Sequence, residues 1–139
     1  MKHILFLPLI ASCVIFLGFS NHLSDPATVP QQQTPTDHRF IIGKLGNSWK
    51  VYSSLDSTNR IIQANPGDRV IWTASGSELF FQFPDESIFN SSGATLANGN
   101  ELTLTVSMNA KAGEYTYSVF CTMDNQFATG DSPPKIIIK

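Results

Sequence analysis

The sequence predicts an all-β domain, a Greek-key β-sandwich of seven or eight short strands. Three observations carry that prediction. First, residues alternate at period two. Leu102, Leu104 and Val106 alternate with Thr103 and Thr105, and Tyr115, Tyr117, Val119 and Cys121 with Thr116, Ser118 and Phe120. Successive side chains of a strand point to opposite faces, so this pattern marks half-buried strands. Second, turn-forming clusters recur between such runs. Third, no segment sustains a helical period of useful length.

The elements follow in order. A candidate strand covers residues 40–45, and Gly46-Asn47 suits a tight hairpin into residues 49–53. Residues 60–64 come next, rich in isoleucine. Asn65-Pro66-Gly67-Asp68 is a Pro-started turn, because proline presets one turn dihedral and glycine tolerates the next. Residues 69–74 and 79–83 are further strands, apolar and β-branched or aromatic. Residues 87–98 are mostly small and polar, with room for a short helical turn. Asn98-Gly99-Asn100 turns the chain into the strand at residues 102–106, and residues 115–121 and 135–139 complete the set.

Composition narrows the class. The chain has 139 residues, of which 42% are hydrophobic and 11% aromatic, enough for one packed domain. Only 14% are charged, well below the usual quarter. The formal net charge is -2, which argues against a nucleic-acid partner, since phosphate binding needs a clustered positive surface. Two cysteines exclude a disulfide-dense mini-scaffold.

Residues 1–20 read as a secretory leader: Lys2, then an apolar run to Phe19, with small Gly18 and Ser20 placed for cleavage. Cleavage after Ser20 ranks first, retention as a membrane anchor second, and lipidation at Cys13 third, since Ile10-Ala11-Ser12-Cys13 loosely resembles a lipobox. Each of the three places the domain outside the cytoplasm: periplasmic, secreted or membrane-tethered. Residues 21–38 carry Pro26, Pro30, Pro35 and the tract Gln31-Gln32-Gln33 with no aromatic residue, the composition of a flexible tether. The folded domain is expected over residues 39–139.

Three segments of that domain resemble the cupredoxins, the blue-copper family. Pro66-Gly67-Asp68-Arg69-Val70-Ile71-Trp72 resembles the family's PGD-x-V-x-W strand, and Phe81-Gln82-Phe83-Pro84-Asp85 the strand after its first ligand. Ala112-Gly113-Glu114-Tyr115-Thr116-Tyr117-Ser118-Val119-Phe120-Cys121 resembles the AG-x-Y-x-Y-x-C strand that ends at the copper cysteine, and is the most specific of the three. Residues 135–139 match the last strand. The resemblance implies a cupredoxin-like Greek-key β-sandwich.

It does not carry the copper chemistry with it. A blue-copper site needs two imidazoles, one thiolate and usually a weak axial thioether. The histidines are His3, His22 and His38, all before residue 39. By the resemblance, Leu79 or its neighbour Glu78 stands at the first histidine position. Asp124 and Thr129 stand at the second histidine and the methionine in plastocyanin spacing, Gln126 and Gly130 in azurin-like spacing. Cys121 alone remains. The expectation is therefore no metal site and no cofactor. The alternative is a reduced, non-standard copper site formed by Cys121 and Met123, a soft pair suited to Cu(I). Cys121 reads more simply as a buried, inert thiol, and Met123 as a cover for the end of the core.

Asp85, Glu86, Asp124 and Asp131 lie in loops without the spacing of a calcium loop. Without a histidine in residues 39–139, Ser-His-Asp and Cys-His catalysis is excluded there, and no carboxylate pair is nominated. Phe80 and Phe81 are adjacent in one strand, so they face opposite sides; an exposed ring on so weakly charged a surface suits partner binding. Asn90-Ser91-Ser92 is a formal glycosylation sequon, relevant only in a eukaryotic secretory pathway. The expected function is an exported, non-enzymatic binding or structural module whose partner is a protein or small ligand. Copper binding or electron transfer around Cys121 is the alternative.

Overall fold

A computed structural model describes residues 34–139. The expected leader, with Ser20 and Cys13, and the tether through residue 33 lie outside the described residues. The described residues form eleven strands: β1 (Asp37–Leu45), β2 (Ser48–Ser53), β3 (Ile61–Ala64), β4 (Arg69–Ala74), β5 (Leu79–Gln82), β6 (Gly93–Leu96), β7 (Glu101–Thr105), β8 (Gly113–Thr116), β9 (Ser118–Cys121), β10 (Gln126–Phe127) and β11 (Lys135–Ile138). The predicted all-β class is correct. The predicted count of seven or eight strands is not.

Three elements account for the difference. β6 lies in the stretch read as a helical turn, but Phe80 pairs with Thr95 and Phe81 with Ala94, and a partner strand overrides weak local preference. β10 is two residues long and pairs Gln126 with Cys121 and Phe127 with Phe120. The expected strand at residues 115–121 is split at Tyr117 into β8 and β9. Tyr117 donates its backbone N–H to the Pro134 carbonyl at 3.0 Å. On one side of it β8 pairs with β11, and on the other β9 pairs with β5. One stretch of chain thus passes from one sheet to another.

The hydrogen-bonded orders are β2-β1-β4-β7, β10-β9-β5-β6 and β3-β11-β8. Two pairs are parallel, β1 with β4 and β3 with β11. Parallel neighbours cannot be joined by a hairpin, so the chain crosses between sheets.

The core lies between the sheets around Trp72 of β4, which is fully buried. Its ring meets Phe81 at 5.3 Å, Phe89 at 5.7 Å, Tyr117 at 5.9 Å and Phe83 at 6.1 Å between centroids. The Trp72 indole N–H donates to the Tyr117 hydroxyl at 3.3 Å, which satisfies both polar tips inside the aromatic cluster. Burial pushes the Tyr117 phenol well above its ordinary range, so it stays neutral.

The boundary expected after residue 38 does not coincide with the start of β1. β1 begins at Asp37, and its first residues pair in parallel with β4, Asp37 with Arg69 and His38 with Val70. Asp68 explains why. It follows the Pro66-Gly67 turn, in which Gly67 has φ +88° and Asp68 N–H donates to the Asn65 carbonyl at 3.0 Å. The buried Asp68 carboxylate accepts from Thr36 N–H at 2.9 Å, Asn65 N–H at 2.8 Å and His38 Nε2 at 3.0 Å. Asp37 adds an ion pair to Arg69 at 2.7 Å. Polar composition hides this docking, because the contacts are polar and their partners, Asp68 and Arg69, lie about 30 residues away.

Candidate functional site

Two regions bear on function: the end of β9 around Cys121, and the outer face of the sheet that contains it.

Cys121 is the last residue of β9 and fully buried. Its register partners are Leu79 on β5 and Gln126 on β10. Leu79 is also fully buried, so a hydrocarbon side chain stands across the ladder from the thiol. Burial pushes the thiol up to about 11, and the Asp124 charge adds to the shift, with partial relief from the Ala128 backbone N–H. At neutral pH the group is a thiol and not a thiolate, and the thiolate is the form that reacts and binds metal.

Asp124 is committed elsewhere. Its Oδ2 accepts the Trp49 indole N–H at 2.8 Å and pairs with Lys44 Nζ at 2.6 Å. The Lys44 ammonium and the Trp49 N–H hold its carboxyl below the usual range. Lys44 also sits 5.5 Å from the Trp49 ring centroid. Thr129 belongs to the β2 ladder: its N–H donates to the Trp49 carbonyl and its carbonyl accepts from Val51 N–H, both at 3.0 Å. Its hydroxyl accepts from Lys50 at 2.6 Å. Gln126 is exposed, and a Cβ at Gly130 would meet Pro134 Cα at 3.1 Å.

Met123 lies past the end of β9 and is 70% exposed, so it does not cover the core as expected. Its backbone N–H donates to Ser77 Oγ at 3.1 Å. The two sulfurs of the alternative copper pair therefore lie in different environments, Cys121 sealed and Met123 in solvent. Among the described residues no three His, Cys, Asp or Glu side chains gather as a metal-holding group. His38, the one histidine there, is engaged by Asp68. These donors do not fit a type 1 copper ion, which needs two free imidazoles beside a thiolate.

Of the other loop carboxylates, Glu86 is exposed and Asp85 and Asp131 are engaged separately. Asp85 accepts from Ser87 N–H at 3.0 Å, and Asp131 lies 3.7 Å from Lys135. Asn90 of the sequon is exposed, with φ +53°. A cleft beside β1 is walled by Asp37, His38 and Arg39, but their charged ends pair with Arg69, Asp68 and Glu101.

The outer face of the β10-β9-β5-β6 sheet is different. Phe80 on β5 pairs in register with Phe120 on β9, and Phe120 with Phe127 on β10. Three aromatic rings thus stand side by side across three strands. Phe80 is 44% exposed and Phe127 61%. Phe120 and Phe127 meet edge to face at 5.2 Å and 66°. Phe81, the neighbour of Phe80, is buried against Trp72. Thr95 continues the row on β6, and the next row along is Gln82 and Ser118. The three rings, Gln82 and Ser118 line a shallow groove without a charged residue.

Alternation in the sequence places Phe80 and Phe81 on opposite sides but does not reveal the row. Phe120 carries a usable signal, because it is out of phase with buried Val119 and Cys121. Phe127 carries none, since β10 is too short to show a period. The Asp124–Trp49–Lys44 cluster joins residues up to 80 positions apart and leaves no local trace.

Solved structures of amicyanin are similar to this chain. The reduced Cu(I) form of a proline-to-glycine mutant at pH 4 aligns with TM-score 0.46 and 15% identity, over 78% of this chain and 87% of that one. The Cu(I) form of a methionine-to-glutamine mutant aligns with TM-score 0.42 and 15% identity, over 74% and 82%. No family model and no curated protein matches the chain.

Proposed function

We propose that the chain is an exported, non-enzymatic binding module of cupredoxin-like fold that lacks a type 1 copper site and docks its partner on the Phe80–Phe120–Phe127 face. One observation carries the reading: Leu79 sits opposite a fully buried Cys121 whose pKa is pushed up to about 11. The position that delivers copper's thiolate in the family is here an inert core thiol, and its neighbour across the ladder offers no ligand atom. The aromatic row, by contrast, faces solvent, with Phe80 and Phe127 among the exposed large hydrophobic residues. Contiguous exposed rings on a weakly charged surface are a mark of interaction sites.

The cupredoxin-like assignment rests on the Gly113–Cys121 strand motif and on Cys121 ending β9. Export rests on the apolar run through Phe19 and the small residues Gly18 and Ser20. The non-enzymatic role rests on the absence, among the described residues, of a histidine free to act as a base beside a nucleophile.

The test is copper loading of the full chain, read by metal analysis and visible spectrum. The expected result is no stoichiometric Cu(II) and no intense visible band. A blue, stoichiometric adduct that vanishes in Cys121→Ser overturns the reading and promotes electron transfer. Tight, colourless Cu(I) binding dependent on Cys121 and Met123 promotes copper handling instead.

A further inference from the structure

Strand period places one charged residue, Glu78, on the same face as the aromatic row. Glu78 precedes Leu79, and Thr122 N–H donates to the Glu78 carbonyl at 3.1 Å, which continues the β5–β9 ladder by one residue. By the period of two, Glu78 shares a face with Phe80 and Gln82, while Leu79 and Phe81 point into the core. Glu78 is exposed, and no described lysine, arginine or histidine forms an ion pair with it. The face is therefore three phenyl rings, hydroxyl and amide groups, and one unpaired carboxylate at its edge.

We infer that the occupant of this face is a polypeptide segment carrying a lysine or arginine beside apolar side chains, the cation pairing with Glu78 and the apolar groups covering Phe80, Phe120 and Phe127. The inference rests on the proposed function and names the class of its partner. Charge decides among the occupants. Covering the row withdraws Glu78 from water, and a carboxylate withdrawn without a counter-ion is costly. A second copy of the chain brings the same face, and with it another Glu78 carboxylate in place of a cation. The chain's own residues 21–33 contain no lysine or arginine. An anionic membrane surface repels Glu78. A sugar ring stacks best on coplanar aromatic rings, and Phe120 and Phe127 stand at 66°. A basic, apolar peptide satisfies both the rings and the carboxylate, and arginine also lies favourably over an aromatic face.

The experiment is selection from a random twelve-residue peptide library on the full chain, purified from the cell fraction in which it accumulates. Phe80→Ser, Phe127→Ser and Glu78→Lys are selected in parallel, and circular dichroism checks that each is folded. Peptides enriched in Lys or Arg next to apolar residues are expected. Their binding should fall at least tenfold in either Phe→Ser variant and about threefold in Glu78→Gln, the scale of one partly exposed ion pair. Glu78→Lys should enrich acidic peptides instead. Enrichment that needs the phenyl rings but shows no basic preference, or no reversal in Glu78→Lys, overturns the partner class and leaves the docking face standing. Concentration-dependent dimerisation lost in Phe127→Ser assigns the face to a second copy and overturns the inference. Equal enrichment on wild type and both Phe→Ser variants, or none, overturns the inference and the docking face together. Copper binding is read separately, so the loss of the copper-free reading remains distinguishable.

Discussion

Leu79 stands directly across the β5–β9 ladder from Cys121, and both side chains are fully buried. The pair closes the end of the sandwich with hydrocarbon and a neutral thiol. A polar network, Asp124 with Trp49 and Lys44, seals the adjoining loop.

The first prediction concerns that thiol. Because Cys121 is inaccessible and its pKa is pushed up to about 11, it should resist a disulfide reagent in the native state at pH 8. Reaction should become fast on adding denaturant. Rapid stoichiometric labelling of the native domain at pH 8 contradicts the burial and the raised pKa together.

A second prediction follows from the Trp72 cluster. Trp72→Ala removes the ring that touches Phe81, Phe83, Phe89 and Tyr117, and should cost about 3–5 kcal/mol of stability. Tyr117→Phe removes only the acceptor of the indole N–H and should cost about 1 kcal/mol. Urea unfolding measures both, and equal losses would show that the hydrogen bond, not the packing, dominates.

The third prediction is a pH dependence. Burial opposes the charge on Asp68, but bonds from His38, Asn65 and Thr36 outweigh it and hold the carboxyl at about 2, below its ordinary 3.8. A carboxyl depressed on folding adds stability above its unfolded pKa, and that stability is lost as pH falls toward the folded value. The domain should lose roughly 2 kcal/mol between pH 5 and pH 2 from this group. Asp68→Asn should be less stable at pH 7 and should lack that part of the acid dependence. An unchanged acid profile would remove Asp68 as its cause.

The fourth prediction concerns export. Charged residues in place of Leu5, Phe6 and Leu7 should keep the chain in the cytoplasm, because the apolar run is what the export machinery reads. Fractionation of a tagged chain measures it. If Cys13→Ser leaves export intact but abolishes membrane association, lipidation replaces cleavage after Ser20.

The all-β class, the Pro66-Gly67 turn and most strand positions were legible in the sequence. Each rests on local physics: alternation reports which face is buried, and proline and glycine report the backbone dihedrals. Cys121 as a buried thiol was legible too, since it falls in phase with apolar Val119. The tertiary structure decided the rest. It made β6 and β10 strands through partners their own residues do not reveal, and split residues 113–121 between two sheets at Tyr117. His38 joined the domain through Asp68, a contact spanning 30 positions. The aromatic row came from register, because Phe80, Phe120 and Phe127 are neighbours only once three strands pair. Local sequence encodes the direction of a side chain; which distant side chain lies beside it is set by how the strands pair and the sheets pack.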